Sequence, residues 1–281
     1  LRNRRQRQMC IRDRLMAALT LARAGREVVV CEAESIGFGA SSRNGGQVGS
    51  GNQRFTVKAL VERYGQAQAH ALIREGVAAL DYVKGFIRDE QIECHLRING
   101  RFRGASRPEH YESMARDMDD LRAVAGVESH MVTRSELHGE IGSDLYHGGS
   151  ILPDDCSVHP ALYHQGLSER AAAAGASLHA FTRVTGIVQS DNGARVLTER
   201  GNISCERVLV ATNGYTTGVT NDLYHRFVPV AAAMVATTEL SPNLISDLMP
   251  KARVYGDTLR VHHYFQPRKM VNEKVSSCAT T

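Results

Sequence analysis

The stretch Val28-Val29-Val30-Cys31-Glu32-Ala33-Glu34-Ser35-Ile36-Gly37-Phe38-Gly39-Ala40-Ser41-Ser42-Arg43-Asn44-Gly45-Gly46-Gln47 decides the fold. Its first four residues form an unbroken apolar run, as in a parallel strand covered on both faces, and Glu32 ends the run with a charge. Just upstream, Leu15, Ala18, Leu19 and Ala22 recur at helical spacing, and Gly25 stands where a helix needs a left-handed C-terminal residue. Helix, glycine turn, buried strand and terminal acid make the second half of a βαβ nucleotide-binding unit, in which the carboxylate accepts hydrogen bonds from a ribose diol. The first half is not legible. A glycine fingerprint roughly twenty residues before the acid falls on Met9, Ile11 and Arg14, none of which lets a helix N-terminus approach a pyrophosphate.

Downstream of Glu32, the glycines and serines Gly37, Gly39, Ser41, Ser42, Gly45, Gly46, Gly49, Ser50 and Gly51 leave a stretch poor in side chains. Such a stretch either passes close to something large or is a mobile loop. Residues 56–90 read as long amphipathic helix, with Leu60, Tyr64, Leu72, Ile73, Val77, Leu80, Val83 and Ile87 on the apolar face. From 92 to 150 short alternating segments, Cys94–Ile98 and Arg101–Arg103 among them, predict antiparallel sheet with a charged helix near 108–126. His159-Pro160 opens a helix that stops at Gly175, and Asp191-Asn192-Gly193 is a hairpin turn signal. A second buried-strand run, Val208-Leu209-Val210-Ala211, leads into Thr212-Asn213-Gly214.

Of the 281 residues, 42% are hydrophobic and 23% charged, which excludes wholesale disorder as well as collagenous and coiled-coil classes. The longest uncharged apolar run, around Val228 to Ala236, has about half of the roughly twenty residues a membrane helix needs. The six cysteines are scattered singly without a CxxC pair, so reduced thiols in a cytoplasmic protein are expected and no metal site is. The formal charge of +4 comes from the first fourteen residues, where six arginines face only Asp13; residues 15–281 carry −1. That argues against nucleic acid as a partner. The head itself can be read as a basic arm, as a transit peptide, or as a non-native translation of a sequencing adapter, which Gln8-Met9-Cys10-Ile11-Arg12-Asp13 matches best. Residues 268–281 show no periodicity and are read as either a disordered tail or a non-native end.

Glu32-Ala33-Glu34 with Gly37–Gln47 closely resembles the flavin-binding stretch of the FAD-dependent D-amino-acid-oxidase superfamily, nearest its gamma-glutamylputrescine oxidase-like branch. The resemblance continues through Leu152-Pro153-Asp154, Val158-His159-Pro160, Thr182-Arg183-Val184-Thr185-Gly186 and Val208–Gly214, and covers about residues 15–267. It implies an α/β fold with a Rossmann-like FAD-binding domain (15–91 and 151–215) and a substrate domain (92–150 and 216–267) on a mixed, largely antiparallel sheet. It also implies FAD as cofactor. Glu32 then meets the adenosine ribose, Ser41, Ser42, Arg43, Asn44, Gly45 and Gly46 run beside the pyrophosphate and isoalloxazine, Val184 offers its backbone to the adenine, and Ala211, Thr212, Asn213 and Gly214 close over the dinucleotide.

The residue types suit those roles: an arginine offsets phosphate charge, hydroxyls and amides donate to oxygens, and paired glycines let backbone approach a flat ring. The activity so implied is oxidation of an amine or amino acid at its C–N bond, with electrons passed to oxygen or another acceptor. A flavin dehydrogenase with a different acceptor, or a truncated chain that binds nothing, are the alternatives. No catalytic residue can be named from the sequence; His262, His263, Tyr264 and Phe265 lie on a late strand whose alternate residues are candidates to face the flavin, with core or surface histidines as the other reading.

Overall fold

A glycine in left-handed conformation ends one helix after another: Gly25 at φ 74° follows the first, Gly126 at 64° the fourth, and Gly175 at 98° the fifth. The computed structural model describes residues 11–50, 55–226, 228, 233–269 and 275–280. In chain order the elements are α1 (Ile11–Arg23), β1 (Val29–Cys31), β2 (Gln47–Val48), α2 (Val57–Tyr64), α3 (Gln66–Asp89), β3 (Arg101–Gly104), α4 (Pro108–Ala125), β4 (His130–Val132), β5 (Gly149–Leu152), β6 (Cys156–Ser157) and α5 (Pro160–Ala173). There follow β7 (Ser177–His179), β8 (Val184–Ser190), β9 (Gly193–Thr198), β10 (Gly201–Cys205), α6 (Asn221–Tyr224), β11 (Met234–Ala236), α7 (Pro242–Leu248), β12 (Val254–Asp257), β13 (Tyr264–Lys269) and β14 (Val275–Thr280).

The chain forms two compact units. The first comprises residues 1–44, 92–94 and 160–231. In it α1 buries Leu15, Ala18 and Leu19 and packs on α5, while β1 runs parallel to β7 with Val30 opposite Leu178. The predicted Asp191-Asn192-Gly193 turn joins β8 to β9, and β10 completes a three-stranded antiparallel meander. The expected strand Val208–Ala211 does not form. Residues 207–212 join no ladder, and Leu209 is half exposed. An apolar run becomes a buried strand only beside a neighbour, and β1 pairs with β7 alone among the described residues.

The second unit, residues 45–91, 95–159 and 232–281, is built on a seven-stranded sheet in the order β11-β14-β13-β12-β3-β5-β4. Its pairs are antiparallel except β12 with β3, so the sheet is mixed and largely antiparallel as expected. One face holds the core of Phe102, Val132, Leu137, Ile141, Tyr146, Ile151, Ile245, Met249 and Tyr255. Over the other, α2 and α3 bring Val57, Leu60, Ala69 and Ile73 against Leu121 and Val124 of α4. The single helix expected over 56–90 is two, broken at Gly65, whose φ of 77° no helix interior tolerates. Of the segment Cys94–Ile98, only Arg97 forms a bridge, to Ser157.

Residues 45–91 cluster with the large sheet in the second unit. Of the tail expected to lack structure, residues 275–280 form β14, whose pairing with β13 and β11 extends the sheet; residues 270–274 and 281 lie outside the described residues, as do 1–10 of the head. Among the described residues no helix is long and apolar enough to cross a membrane.

Candidate functional site

In the first unit, β1 and β7 carry the chain to Glu32. The Glu32 amide donates to the His179 carbonyl at 2.9 Å, Thr182 N–H donates back to the Glu32 carbonyl at 2.7 Å, and Phe181 N–H donates to the Glu34 carbonyl at 2.9 Å. These bonds bring residues 181–184 alongside the acid, so Val184, the first residue of β8, stands two residues beyond a direct partner of Glu32. The side chain of Glu34 pairs with Arg183 at 2.8 Å; both are half exposed, and such a pair contributes little.

The Glu32 carboxylate is engaged at both oxygens. Oε1 accepts from the Glu34 N–H at 3.1 Å, and Oε2 takes Nη2 of Arg14 at 2.9 Å. Both side chains are largely buried, at 14% and 12% exposed, and Arg14 also donates from Nη1 to the Cys31 carbonyl at 3.5 Å. Arg14 Nε is buried without a partner among the described residues. Burial raises the Cys31 thiol pKa, and the nearby Arg14 charge partly offsets this. The residue that stands where the fingerprint would place a glycine therefore reaches the acid that would meet the ribose.

The turn after β1 is held by its own side chains. Ser42 Oγ donates to the Gly37 carbonyl and, at 3.3 Å, to that of Gly39; Asn44 Nδ2 donates to the carbonyls of Ala40 at 2.9 Å and Ser41 at 3.0 Å. Gly37 is required here. Its φ is +87°, and a Cβ on it would stand 3.0 Å from Nδ1 of the buried His164 on α5. Arg43 is exposed and lies over the Phe38 ring at 4.5 Å. Ser41 differs from its neighbours: it is 2% exposed and its hydroxyl has no partner among the described residues. A buried hydroxyl without a partner is costly, and this one is available to donate to a bound group.

The remaining dinucleotide candidates of this unit, Ala211, Thr212, Asn213 and Gly214, lead into a 3-10 turn over Asn213–Tyr215. Ala211 is buried, Asn213 takes a positive φ of 46°, and Thr216 Oγ1 donates to the Asn213 carbonyl at 2.6 Å. The next 3-10 turn, Gly218–Thr220, packs against β8 and so against the strand that begins at Val184.

Gly45 and Gly46 belong to the second unit. The Gly45 carbonyl accepts from the side chains of Gln266 and Arg268 on β13, the latter at 2.8 Å, and the Gly46 carbonyl accepts from Val158 N–H at 2.8 Å. The register of Gly256 with both Arg103 and Tyr264 places those two residues on one sheet face, which is also the face of Gln266 and Arg268. Phe265 points the other way, onto the core and stacked on Tyr255 at 5.3 Å. His263 is tied through Nδ1 to the buried Asp257 at 2.8 Å, and Nδ1 of His262 is buried without a partner among the described residues. Of the four late-strand candidates, Tyr264 therefore shares the face that reaches Gly45. Burial lowers the Arg103 pKa, and Tyr264, Asp117 and Asp257 oppose the effect.

Beneath this face Arg101 and Asp155 form a buried ion pair at 3.1 Å, with Ser50 N–H donating to Asp155 at 3.4 Å. Burial raises the pKa of Asp155, and the charge of Arg101 lowers it. The adjacent cavity, lined by Arg101, Arg103, Asp117 and Ser150 among others, measures about 40 Å³, which suits a water rather than a substrate. Arg14, Arg103, Gln266 and Arg268 escaped the sequence reading. The alternation Arg101-Phe102-Arg103 was the one available signal, since two arginines flanking a core phenylalanine on a strand must share the other face.

Compared with known proteins, residues 15–275 match the family model for FAD dependent oxidoreductases. The chain belongs to that family. It is 30% identical over 260 residues to the probable oxidoreductase OrdL of Rhizobium meliloti (strain 1021), covering 91% of this chain and 59% of that protein. It is 29% identical to gamma-glutamylputrescine oxidoreductase of Escherichia coli (strain K12), covering 90% of this chain and again 59% of the relative. The chain therefore spans about three fifths of these relatives' length.

Among solved structures, glycine oxidase from Bacillus cereus superposes with a TM-score of 0.68 at 20% identity over 95% of this chain and 68% of that one. NikD, an unusual amino acid oxidase essential for nikkomycin biosynthesis, gives 0.68 at 19% identity over 94% and 65%. The fold is that of these oxidases, α/β with a Rossmann-like FAD-binding domain. The residues present fit FAD. A buried Ser41 hydroxyl lacks a partner and an acid ends a parallel strand, with one competitor in place, the Arg14 guanidinium on Glu32.

Proposed function

We propose that this chain belongs to an FAD-dependent enzyme that oxidises the C–N bond of an amine or amino acid to an imine. The observation that carries the reading is the buried hydroxyl of Ser41, without a partner among the described residues, in the turn that follows an acid-ended parallel strand, within a chain that matches the family from residue 15 to 275. Relatives and neighbours whose names specify gamma-glutamylputrescine, glycine and amino acids support an amine or amino acid as substrate.

Bound FAD would supply the two-electron acceptor, taking a hydride from the carbon that bears the neutral amine. The chain's own residues supply position. Glu32 would accept from the ribose hydroxyls, Ser41, Ser42 and Asn44 would donate to phosphate or ring oxygens, and Arg43 would offset phosphate charge. Gly45 and Gly46 would let the backbone lie against the ring, the Val184 backbone would be offered to the adenine, and Ala211, Thr212, Asn213 and Gly214 would cover the dinucleotide. Arg103 and Tyr264 are the polar groups on the sheet face that reaches Gly45, and we assign them to the substrate side. Water would hydrolyse the released imine, and oxygen or another acceptor would take the electrons. The six cysteines, scattered singly without a CxxC pair, support a reducing cytoplasm.

The test is direct. Purified protein should show flavin absorption or bind added FAD, and an amine panel added without air should bleach it; peroxide formed in air distinguishes an oxidase from a dehydrogenase. Protein that neither carries flavin nor takes it up refutes the reading. A second reading, a chain that binds no cofactor, is favoured by the Arg14–Glu32 pair, because the ribose site is then filled from within.

A further inference from the structure

Three hydrogen bonds, two from β13 and one from Val158 just after β6, converge on two glycine carbonyls. Gln266, 2% exposed, donates its side-chain N–H to the Gly45 carbonyl, and Arg268 Nη2 donates to that carbonyl at 2.8 Å and to the Val158 carbonyl at 2.7 Å. Val158 in turn donates its N–H to the Gly46 carbonyl at 2.8 Å, and the ladder runs on through Gln47 opposite Ser157. One guanidinium thus bridges the glycine turn and the residue just before His159-Pro160, where α5 begins. These partners lie 221 and 223 residues from Gly45 in the chain, so no local propensity creates the arrangement.

We infer that Gln266 and Arg268 are positioning residues for the cofactor, holding the Gly45–Gly46 peptide in a single orientation. Because a trans peptide sets C=O and N–H on opposite sides, anchoring the Gly45 carbonyl toward β13 directs the Gly46 N–H to the other side. Two glycines without such an anchor would sample many orientations, and the ring they meet would be held loosely. Arg268 is suited to the task because its planar fork spans two acceptors, which a lysine ammonium on a flexible stem does less well. The same strand carries Tyr264, so the strand assigned to the substrate side also sets the backbone that faces the flavin.

This inference rests on the proposed flavin site, and the experiment separates the two. Arg268→Met, Arg268→Lys and Gln266→Met are compared with the parent chain by amide hydrogen exchange over residues 45–48 and 156–158, by FAD titration, and by the visible spectrum of the bound flavin. The expected result is faster exchange over both segments in Arg268→Met, a roughly tenfold or greater rise in FAD Kd, a broadened flavin spectrum, and incomplete rescue by Arg268→Lys. Exchange in β3 and β12 stays at the parent level, which shows that the variants fold. Unchanged affinity and spectrum in all three variants would overturn the inference even if exchange rises. A parent that binds no FAD overturns the flavin reading itself and the positioning role with it, and the parent control identifies that case.

Discussion

Replacing Arg14 with alanine should weaken the fold and strengthen cofactor binding at once. The Arg14–Glu32 contact is a charge-assisted bond of 2.9 Å between side chains that are 14% and 12% exposed. For such a pair the attraction exceeds the surface value of up to about 1 kcal/mol, while desolvation keeps it below the several kcal/mol of a fully buried pair; about 1–2 kcal/mol net is a reasonable figure. A ribose diol can reach Glu32 only by displacing that guanidinium. The same 1–2 kcal/mol is then subtracted from the affinity for any adenosine-containing ligand, a factor of about 5–30 in Kd. Arg14→Ala should lower FAD and ADP Kd by that factor and lower Tm by a few degrees. The assay is FAD fluorescence titration with ADP calorimetry on Arg14→Ala, Glu32→Gln and the double variant, read as a cycle. Glu32→Gln should lose affinity, and Arg14→Ala should bring no further gain in its presence. Arg14→Ala with unchanged Kd would refute the claim that the two compete for one carboxylate.

Three further outcomes are expected. Ser41→Ala removes a buried hydroxyl that lacks a partner, so the cofactor-free protein should gain about 1 kcal/mol in denaturant unfolding while its FAD affinity falls; loss of stability instead would show that the hydroxyl is already satisfied. Gly37→Ala forces a Cβ toward the His164 ring at a φ of +87°, and should cost about 1–3 kcal/mol in the same assay, with no change meaning that the turn relaxes freely. Tyr146 and Tyr255 are both pushed up from 10.0 to about 12, chiefly by burial. The unfolded chain therefore releases their protons first as pH rises, so stability should fall from pH 10 to about 12, and two of the nine tyrosines should titrate late in tyrosinate absorbance. Tyr255→Phe should reduce that slope, and an unaltered slope would exclude Tyr255 from it.

What could be read from the sequence was local. The helix stops at Gly25 and Gly175 and the Asp191-Asn192-Gly193 turn each depend on a few adjacent residues, and each stands as read; the run Val28–Cys31 pairs in parallel over Val29–Cys31, but with Val29 exposed rather than covered on both faces. Where the reading failed, a distant partner decided. Val208–Ala211 has the composition of a strand but no neighbour to pair with, and Val275–Thr280 lacks a strand's apolar pattern yet pairs because β13 offers an open edge. The helix over 56–90 broke at Gly65 because the apolar stripe persists through a glycine whose backbone turns the chain, and periodicity records only the stripe.

The same distinction separates the candidate groups of the flavin site. Glu32 and Ser41 both belong to one continuous stretch, yet the structure treats them oppositely: the acid pairs with an arginine from the preceding helix, whereas the hydroxyl is buried without a partner among the described residues. A chain that had abandoned the cofactor would be under no pressure to leave Ser41 unpartnered, because a buried hydroxyl without a hydrogen bond costs stability and alanine would fit its place. A chain fully committed to the cofactor would not fill its ribose acid with a guanidinium. Both features in one unit point to a turn still shaped for a dinucleotide and a strand end closed by a single side chain. Arg14, a residue just outside the stretch that matches the family, is then the group whose removal should leave the Glu32 carboxylate open to a ribose.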